Sequence, residues 1–219
     1  MPQKRLPAVH ALALMLSAAL SIGAASLSRA AGDGIEDGLE VAIFAGGCFW
    51  CVESDFDKVP GVVRTISGYT GGALPDPTYK QVTAGGTGHL EAVQIFYDPK
   101  RIAYEMLVEI FWRSVDPTDG GGQFCDRGES YQTAIFANSL EQKQQAEASK
   151  GALGDSGALK QPVVTPIQIA GPFYPAEDYH QNYYNENPLR YGFYRYRCGR
   201  DARVEELWGA DAHRGIADH

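Results

Sequence analysis

Cysteine is scarce in this chain, and its four cysteines are unevenly spaced. Cys48 and Cys51 form a C-x-x-C pair, whereas Cys125 and Cys198 stand alone. A zinc site built on such a pair needs two more ligands at close spacing. The spacing therefore argues against zinc and leaves redox, nucleophilic or structural roles for the thiols.

Basic residues are also in short supply. The chain has 19 Lys and Arg against 27 Asp and Glu, which gives a formal net charge of −8 at pH 7. Such an acidic surface argues against nucleic acid or an anionic membrane as a partner, because both attract positive charge. The chain also lacks internal repeats and long linkers. Its composition, 44% hydrophobic and 21% charged, therefore predicts one enzyme domain with a single substantial core.

The apolar run near the N-terminus, residues 11–25, is shorter than the roughly 20 residues that a transmembrane helix needs. Lys4 and Arg5 precede the run, and small residues at two positions of the segment 28–30 suit a signal peptidase. This arrangement predicts a secretory signal peptide that is cleaved after Ala30.

The mature domain is then expected to span residues 31–219, in the periplasm or secreted, without stable membrane insertion. Removal of residues 1–30 takes away three basic residues and no acidic ones. The mature chain would carry 16 Lys and Arg against 27 Asp and Glu, a formal charge of −11. Export would also allow structural disulfides to persist.

Cys48 lies where a strand pattern passes into a helix pattern. The apolar run at residues 41–45 and two glycines precede it, and apolar residues at helical spacing follow from Phe49. Free N–H groups and the positive end of the dipole at a helix N-terminus can lower a cysteine pKa to roughly 3.5–7.5. We therefore expect redox or nucleophilic chemistry at Cys48.

Several short motifs accompany Cys48 in a fixed order along the chain. They include Gly47-Cys48-Phe49-Trp50, Gly68-Tyr69-Thr70-Gly71-Gly72, Pro77-Thr78-Tyr79, Thr87-Gly88-His89-Leu90-Glu91-Ala92-Val93, Tyr97-Asp98-Pro99, Asp126-Arg127-Gly128, Ser130-Tyr131, Ala176-Glu177-Asp178-Tyr179-His180-Gln181 and Asn187-Pro188. This series covers about residues 40–190 and resembles the class A peptide-methionine sulfoxide reductases.

The resemblance implies that Cys48 attacks the sulfoxide sulfur and that Glu91 protonates the oxygen. A donor is needed because an unprotonated oxide is a very poor leaving group. Glu91 stands at the head of an otherwise apolar strand pattern, where an apolar environment would raise its pKa and keep it protonated. The residues alone also allow a solvated carboxylate at the strand end.

Aromatic residues of the same motifs are expected to shape the substrate pocket. Tyr79 and Tyr131 resemble the family's oxygen-binding tyrosines, whose hydroxyls can hydrogen-bond to the sulfoxide as charge develops. Phe49 and Trp50 would form an apolar slot for the ε-methyl group. Without the resemblance, each of these four residues would be assigned to ordinary packing.

Two further residues have supporting roles in the implied site. Asp126 resembles a family residue that supports the polar side of the pocket, and we therefore expect it to belong to the catalytic residues. His180 is expected to brace the pocket wall rather than to react.

Recycling requires a second thiol, because oxygen transfer would leave Cys48 as a sulfenic acid. Cys51 lies one helical turn away and is the expected resolving residue, with Cys198 as the alternative. Here the sequence departs from much of the family, which has Gly where Cys51 stands and recycles through cysteines in a glycine-rich C-terminal tail. Cys125 and Cys198 are then either a structural disulfide or inert buried thiols.

The expected function is reduction of the S epimer of methionine sulfoxide, free or in oxidised proteins, with a thioredoxin-like reductant and no metal or organic cofactor. Two alternatives remain open. One is a thiol–disulfide oxidoreductase that uses Cys48 and Cys51, although the Gly-Pro insert usual in thioredoxin-like sites is absent. The other is a non-enzymatic metal-binding module built from cysteine and histidine.

Hydrophobic periodicity predicts strands and helices that do not alternate strictly. The predicted strands cover residues 39–45, 62–69, 90–97, 131–137 and 163–170, and the predicted helices cover residues 49–59, 104–115 and 139–150, the last ending at Gly151. Paired strands can then be antiparallel. We expect an α+β fold, a single-domain two-layer α/β sandwich with a mixed or antiparallel sheet, whose core at about 40–190 precedes a C-terminal tail at 191–219.

Overall fold

The structure is a computed structural model that describes residues 1–3 and 38–217. Apart from its first three residues, the predicted signal peptide lies outside the described residues. The strands of the described part are β1 (Glu40–Gly46), β2 (Val62–Thr70), β3 (Leu90–Tyr97), β4 (Gly122–Gln123), β5 (Asp126–Arg127), β6 (Thr133–Ala137), β7 (Ile167–Ile169) and β8 (Tyr174–Pro175). Its α-helices are α1 (Phe49–Phe56), α2 (Tyr79–Ala84), α3 (Tyr104–Trp112), α4 (Leu140–Asp155), α5 (Tyr183–Glu186), α6 (Pro188–Cys198) and α7 (Arg200–Trp208).

Six strands form one sheet in the order β7-β6-β1-β3-β2-β8. β6 and β7 pair in parallel, and the other neighbours pair antiparallel. β4 and β5 form a separate antiparallel hairpin. The mixed sheet and its helices confirm the predicted α+β fold. Among the described residues, every helix falls short of the length and apolar character that a membrane crossing requires.

Successive side chains of a strand point to opposite sides, and from Ala42 to Gly46 the side of β1 that each residue faces is buried. Phe44 lies in the main core, where its ring centroid is 4.9 Å from that of Phe111 in α3 and 5.4 Å from that of Phe56 in α1. Ile43 belongs to a smaller apolar cluster that includes Phe136 of β6. Helices α1 and α3 therefore pack on the Phe44 face of the strand.

The helix predicted to end at Gly151 continues for another turn, so that prediction is wrong. α4 includes Gly151 and ends at Asp155. Leu153 is buried in the main core, and its burial offsets the roughly 1 kcal/mol that a glycine costs inside a helix. The chain departs from the helix at Gly157, whose φ of +70° suits glycine.

The strand predicted over residues 163–170 is shorter than expected and covers only Ile167–Ile169. Pro166 interrupts the predicted range and Pro162 directly precedes it, and proline has no N–H to donate to a strand ladder. The carbonyl of Pro166 still accepts a hydrogen bond from the N–H of Ile135 at 3.0 Å. The segment therefore reaches β6 before the regular ladder begins.

The residues from 191 onward, expected as a tail, are integrated into the folded domain. Val204 and Trp208 of α7 belong to the main core, and the Trp208 Nε1 donates a hydrogen bond to the carbonyl of Val115 at 3.2 Å. α6 and α7 therefore return the C-terminal part of the chain to the region that carries Cys48.

Candidate active site

Cys48 occupies the turn between β1 and α1, at the N-terminal cap of the helix. Its carbonyl accepts hydrogen bonds from the N–H groups of Cys51 and Val52, at 3.1 and 3.4 Å, which start the helix. The preceding Gly47 has φ of +82°, and a Cβ at this position would lie 2.6 Å from the Cβ of Gln123. This turn requires glycine, so the sequence holds the thiol at a fixed point on a rigid support.

A small cavity of about 60 Å³ lies beside Cys48. Its walls are formed by Cys48, Phe49, Trp50, Tyr79, Glu91, Asp126, Tyr131 and Tyr194. All of these except Tyr194 are residues that the sequence motifs indicate. The fold thus brings the motif residues together around one space, which is large enough for the end of a side chain but not for a peptide.

Glu91 is a buried acid on β3 whose carboxyl group contacts the first turn of α1, the helix that follows Cys48. It is 1% exposed, and its Oε2 accepts a hydrogen bond from the N–H of Phe49 at 3.0 Å. Burial raises the pKa of Glu91 to about 8, even though the bond from Phe49 lowers it in part. The carboxyl is therefore protonated at neutral pH, and the alternative of a solvated carboxylate is wrong.

Tyr79 and Tyr131 reach the same cavity from α2 and from the 3-10 helix before β6. Burial raises the pKa of Tyr79 to about 12, and it raises the pKa of Tyr131 as well. Both hydroxyls therefore remain protonated and can donate to an oxygen in the cavity.

Phe49 and Trp50 form the aromatic wall of the cavity. The Trp50 ring stacks on Tyr183 with centroids 3.8 Å apart, and its Nε1 donates a hydrogen bond to Nδ1 of His180 at 3.1 Å. His180 is 2% exposed, and burial lowers its pKa, so the ring is neutral and can accept this bond. Its centroid also lies 4.9 Å from that of Phe49. In this position His180 supports both aromatic rings from outside the cavity.

Tyr194 is the cavity residue that the sequence motifs do not indicate. Its hydroxyl donates a hydrogen bond to Oδ2 of Asp126, and its ring meets Trp50 edge-on with centroids 5.9 Å apart. Burial raises the pKa of Asp126, which Tyr194 and Arg200 partly counteract. Aromatic residues are frequent at positions 191–196, but only the fold shows that α6 returns to Cys48.

The two thiols differ from the expectation based on the helix N-terminus. Burial raises the pKa of Cys48 well above its usual value, and the hydrogen bond to Cys51 and the charge of Glu91 act in the same direction. The pKa of Cys51 is lowered by the hydrogen bond from Cys48 and by the charges of Arg200 and Arg195. Burial therefore opposes the lowering of the Cys48 pKa that the helix N-terminus was expected to give, and the two arginines favour a negative charge on Cys51.

The two arginines are held in place by buried partners. Arg195 Nη1 lies 2.7 Å from Oδ1 of Asp55, which is fully buried on α1. Arg200 is 1% exposed and donates hydrogen bonds to the carbonyls of Gly46 and Ser114, at 3.0 and 2.9 Å. Because Gly46 ends β1 directly before the Cys48 turn, α7 secures this turn as well as providing charge.

Cys125 and Cys198 form a disulfide that joins the β4–β5 hairpin to the end of α6. Their Cα atoms lie 4.8 Å apart across a sequence separation of 73 residues. Of the two possibilities that the sequence left open, the structure shows the disulfide. Cys48 and Cys51 are free thiols, so Cys51 is the partner available to Cys48 in this state.

A metal-binding role receives no support from this disulfide region. Among the described residues, Cys125, Asp126 and Cys198 place potential ligand atoms within 4.8 Å of one another. The two sulfurs are bonded to each other, however, and a soft metal needs them as thiolates.

The fold and this pocket define a cysteine-based oxidoreductase, and comparisons with known proteins identify its family. The family model for peptide methionine sulfoxide reductase matches residues 40–212. The peptide methionine sulfoxide reductase MsrA of Bacillus licheniformis is 54% identical over 170 residues, which cover 78% of this chain and 94% of that protein. MsrA 2 of Rhizobium meliloti is 52% identical over 178 residues, which cover 81% of this chain and 88% of that protein.

Solved structures give the same result. Methionine sulfoxide reductase A of Corynebacterium diphtheriae matches with a TM-score of 0.64 and 35% identity, over 70% of this chain and 77% of that one. The reduced form of Mxr1 from Saccharomyces cerevisiae matches with a TM-score of 0.63 and 30% identity, over 69% and 87% of the two chains. The chain belongs to the peptide methionine sulfoxide reductase family, as the sequence motifs predict, and it is an enzyme.

Proposed function

We propose that this protein reduces the S epimer of methionine sulfoxide to methionine, both as the free amino acid and within oxidised proteins. The observation that carries the proposal is the pairing of Cys48 with Glu91, a buried acid that is protonated at neutral pH, in one small aromatic cavity. A sulfur nucleophile and a proton donor are the two groups that sulfoxide reduction needs. The names of the relatives agree with this chemistry.

In the first step Cys48 attacks the sulfoxide sulfur as its proton passes to the thiolate of Cys51, the form that the lowered pKa of Cys51 favours. Glu91 transfers its proton to the sulfoxide oxygen, and the oxygen moves to the sulfur of Cys48. The products are methionine and a sulfenic acid on Cys48. The hydroxyls of Tyr79 and Tyr131 stabilise the oxygen while charge develops on it.

In the second step the Cys51 thiol attacks the sulfenic acid of Cys48. A Cys48–Cys51 disulfide forms, and water leaves with the oxygen taken from the substrate. Cys51 is held one helical turn from Cys48, so no loop has to close. Cys198, the alternative resolving residue, is bonded to Cys125 and would have to be released first.

A dithiol protein of the thioredoxin type would return the Cys48–Cys51 disulfide to the reduced state by thiol–disulfide exchange. We place the protein in the periplasm or outside the cell. The N-terminal pattern of Lys4, Arg5 and the apolar run supports this location. The Cys125–Cys198 disulfide is consistent with an oxidising compartment.

Turnover of the separated S and R epimers of N-acetyl-methionine sulfoxide, with dithiothreitol as reductant, tests the activity. We expect N-acetyl-methionine to form from the S epimer only. Reduction of insulin disulfides by the same enzyme is the matched test of a thiol–disulfide oxidoreductase. Rapid insulin reduction without sulfoxide turnover would assign the Cys48 and Cys51 pair to that alternative.

A further inference from the structure

Helix α6 carries an apolar stripe that consists of Leu189, Phe193 and Tyr196. These residues have the spacing i, i+4 and i+7 and are 90%, 68% and 81% exposed. Tyr191 and Arg195, which are buried, lie on the opposite side of the helix. Exposed apolar residues are usually scattered singly, so three on one helix face indicate an interaction surface.

Two exposed arginines, Arg190 and Arg197, border this stripe. With 3.6 residues per turn, both lie between Phe193 and Tyr194 around the helix. Tyr194 lines the catalytic cavity, so the order around α6 is cavity, arginines and apolar stripe. Among the described residues, no acidic side chain forms a salt bridge with either arginine. On a chain with a formal charge of −8, this basic pair is complementary to an acidic ligand.

The size of the cavity determines what must lie on this surface. At about 60 Å³ it accepts the end of one side chain, so the rest of a polypeptide substrate has to cross the neighbouring surface. A helix with its side chains is about 10–12 Å wide, and an extended chain advances about 3.3–3.6 Å per residue. A segment that leaves the cavity over Tyr194 would therefore reach the stripe after about three or four residues.

We infer that the α6 face formed by Leu189, Arg190, Phe193, Tyr196 and Arg197 binds the polypeptide that carries the methionine sulfoxide. It selects segments with an acidic residue close to the oxidised methionine and a large apolar residue three or four positions away. This inference rests on the proposed function and extends it from the reacting side chain to the surrounding peptide.

The test compares a small substrate with peptides, all with dithiothreitol as the reductant. The small substrate is the S epimer of N-acetyl-methionine sulfoxide. One eleven-residue peptide has the sulfoxide at its centre, Glu two residues away and Phe four residues away. A matched peptide has Lys and Ser at those two positions. We expect the wild-type enzyme to have the highest kcat/KM on the Glu and Phe peptide.

Two double variants separate the apolar and the basic parts of the surface. Leu189→Ser with Phe193→Ser should raise KM for the Glu and Phe peptide by about tenfold, while kcat stays the same. Arg190→Ser with Arg197→Ser should remove the preference for Glu over Lys and reduce the salt dependence of KM. Leu140→Ser is the matched control, because Leu140 is 71% exposed on a different helix.

The small substrate reports on the cavity itself. If wild-type enzyme does not reduce N-acetyl-methionine sulfoxide, the proposed function fails. If it does, but the double variants treat both peptides as wild type does, or lose activity equally on the small substrate, the inference about α6 is wrong. A raised KM for a thioredoxin with unchanged peptide selectivity would assign the face to the reductant. Loss of a wild-type dimer in the variants would assign it to a second copy of the chain.

Discussion

The Oε2 of Glu91 accepts a hydrogen bond from the backbone N–H of Phe49 at 3.0 Å, which ties the proton donor to the residue directly after the nucleophile. A protonated carboxyl has one oxygen to accept with and one O–H to donate with. Because Oε2 accepts from Phe49, the proton is left on the other oxygen, where it can reach a substrate. One contact therefore orients the acid and also fixes the start of α1.

Replacement of Glu91 by Gln should slow sulfoxide reduction by about 10²–10⁴-fold. The amide oxygen of Gln can still accept the bond from Phe49, so the fold is preserved while the transferable proton is lost. Single-turnover formation of methionine measures the effect, and thermal unfolding of the variant is the control. A decrease of less than about tenfold would mean that another group protonates the oxygen.

The reduction step should also lose rate as the pH rises through about 8. Burial raises the pKa of Glu91 to about 8, so the acid form that catalysis needs is present below this value and disappears above it. The single-turnover rate constant, measured as a function of pH, should show this loss as an alkaline limb. The Glu91→Gln variant should lack the limb, and an unchanged limb in that variant would trace it to a different group.

Replacement of Cys48 by Ser should abolish methionine formation, because a hydroxyl is a far weaker nucleophile than a thiol. Cys48 is 7% exposed and the change removes little volume, so the variant should remain folded. The measurement is a single turnover with substrate in excess of enzyme, and circular dichroism is the control. Methionine formation by this variant would contradict the assignment of the nucleophile.

Local patterns in the sequence predicted the sheet, and the resemblance of its motifs to a known family indicated most of the residues that line the cavity. β3 has the predicted bounds, Leu90–Tyr97, and Ser139 caps α4 by accepting a bond from the Gln142 N–H at 3.1 Å, as its position indicates. Tyr194 could not be found in this way, because its role depends on the return of α6 to the turn at Cys48.

The charges on the thiol pair were also beyond prediction from local sequence. Helix dipole arguments consider only the residues next to Cys48, whereas the charge on Cys51 depends on Arg195 and Arg200, which are more than a hundred positions away. Burial raises the pKa of Cys48. How much water reaches its sulfur depends on the whole folded core, which the neighbouring residues in the sequence do not reveal.

Replacement of Cys51 by Ser should stop the cycle at the sulfenic acid of Cys48. It should also slow the first step, because the serine hydroxyl is a poor acceptor for the Cys48 proton. A dimedone adduct on Cys48 after one turnover, identified by mass spectrometry, measures the trapped intermediate. Normal recycling by a thioredoxin in this variant would show that Cys51 is not the resolving residue.

Removal of the Cys125–Cys198 disulfide should lower stability without blocking the chemistry. The bond closes a long loop, with a sequence separation of 73 residues, and such bonds contribute about 2–4 kcal/mol by restricting the unfolded chain. The double variant Cys125→Ser with Cys198→Ser avoids leaving one reactive thiol. Its urea unfolding midpoint should fall, and its m-value should rise because the unfolded chain is less compact without the bond. After one turnover without reductant it should still form the Cys48–Cys51 disulfide. If that disulfide is missing and a sulfenic acid remains instead, Cys198 takes part in recycling and the bond in this structure is an intermediate of the cycle.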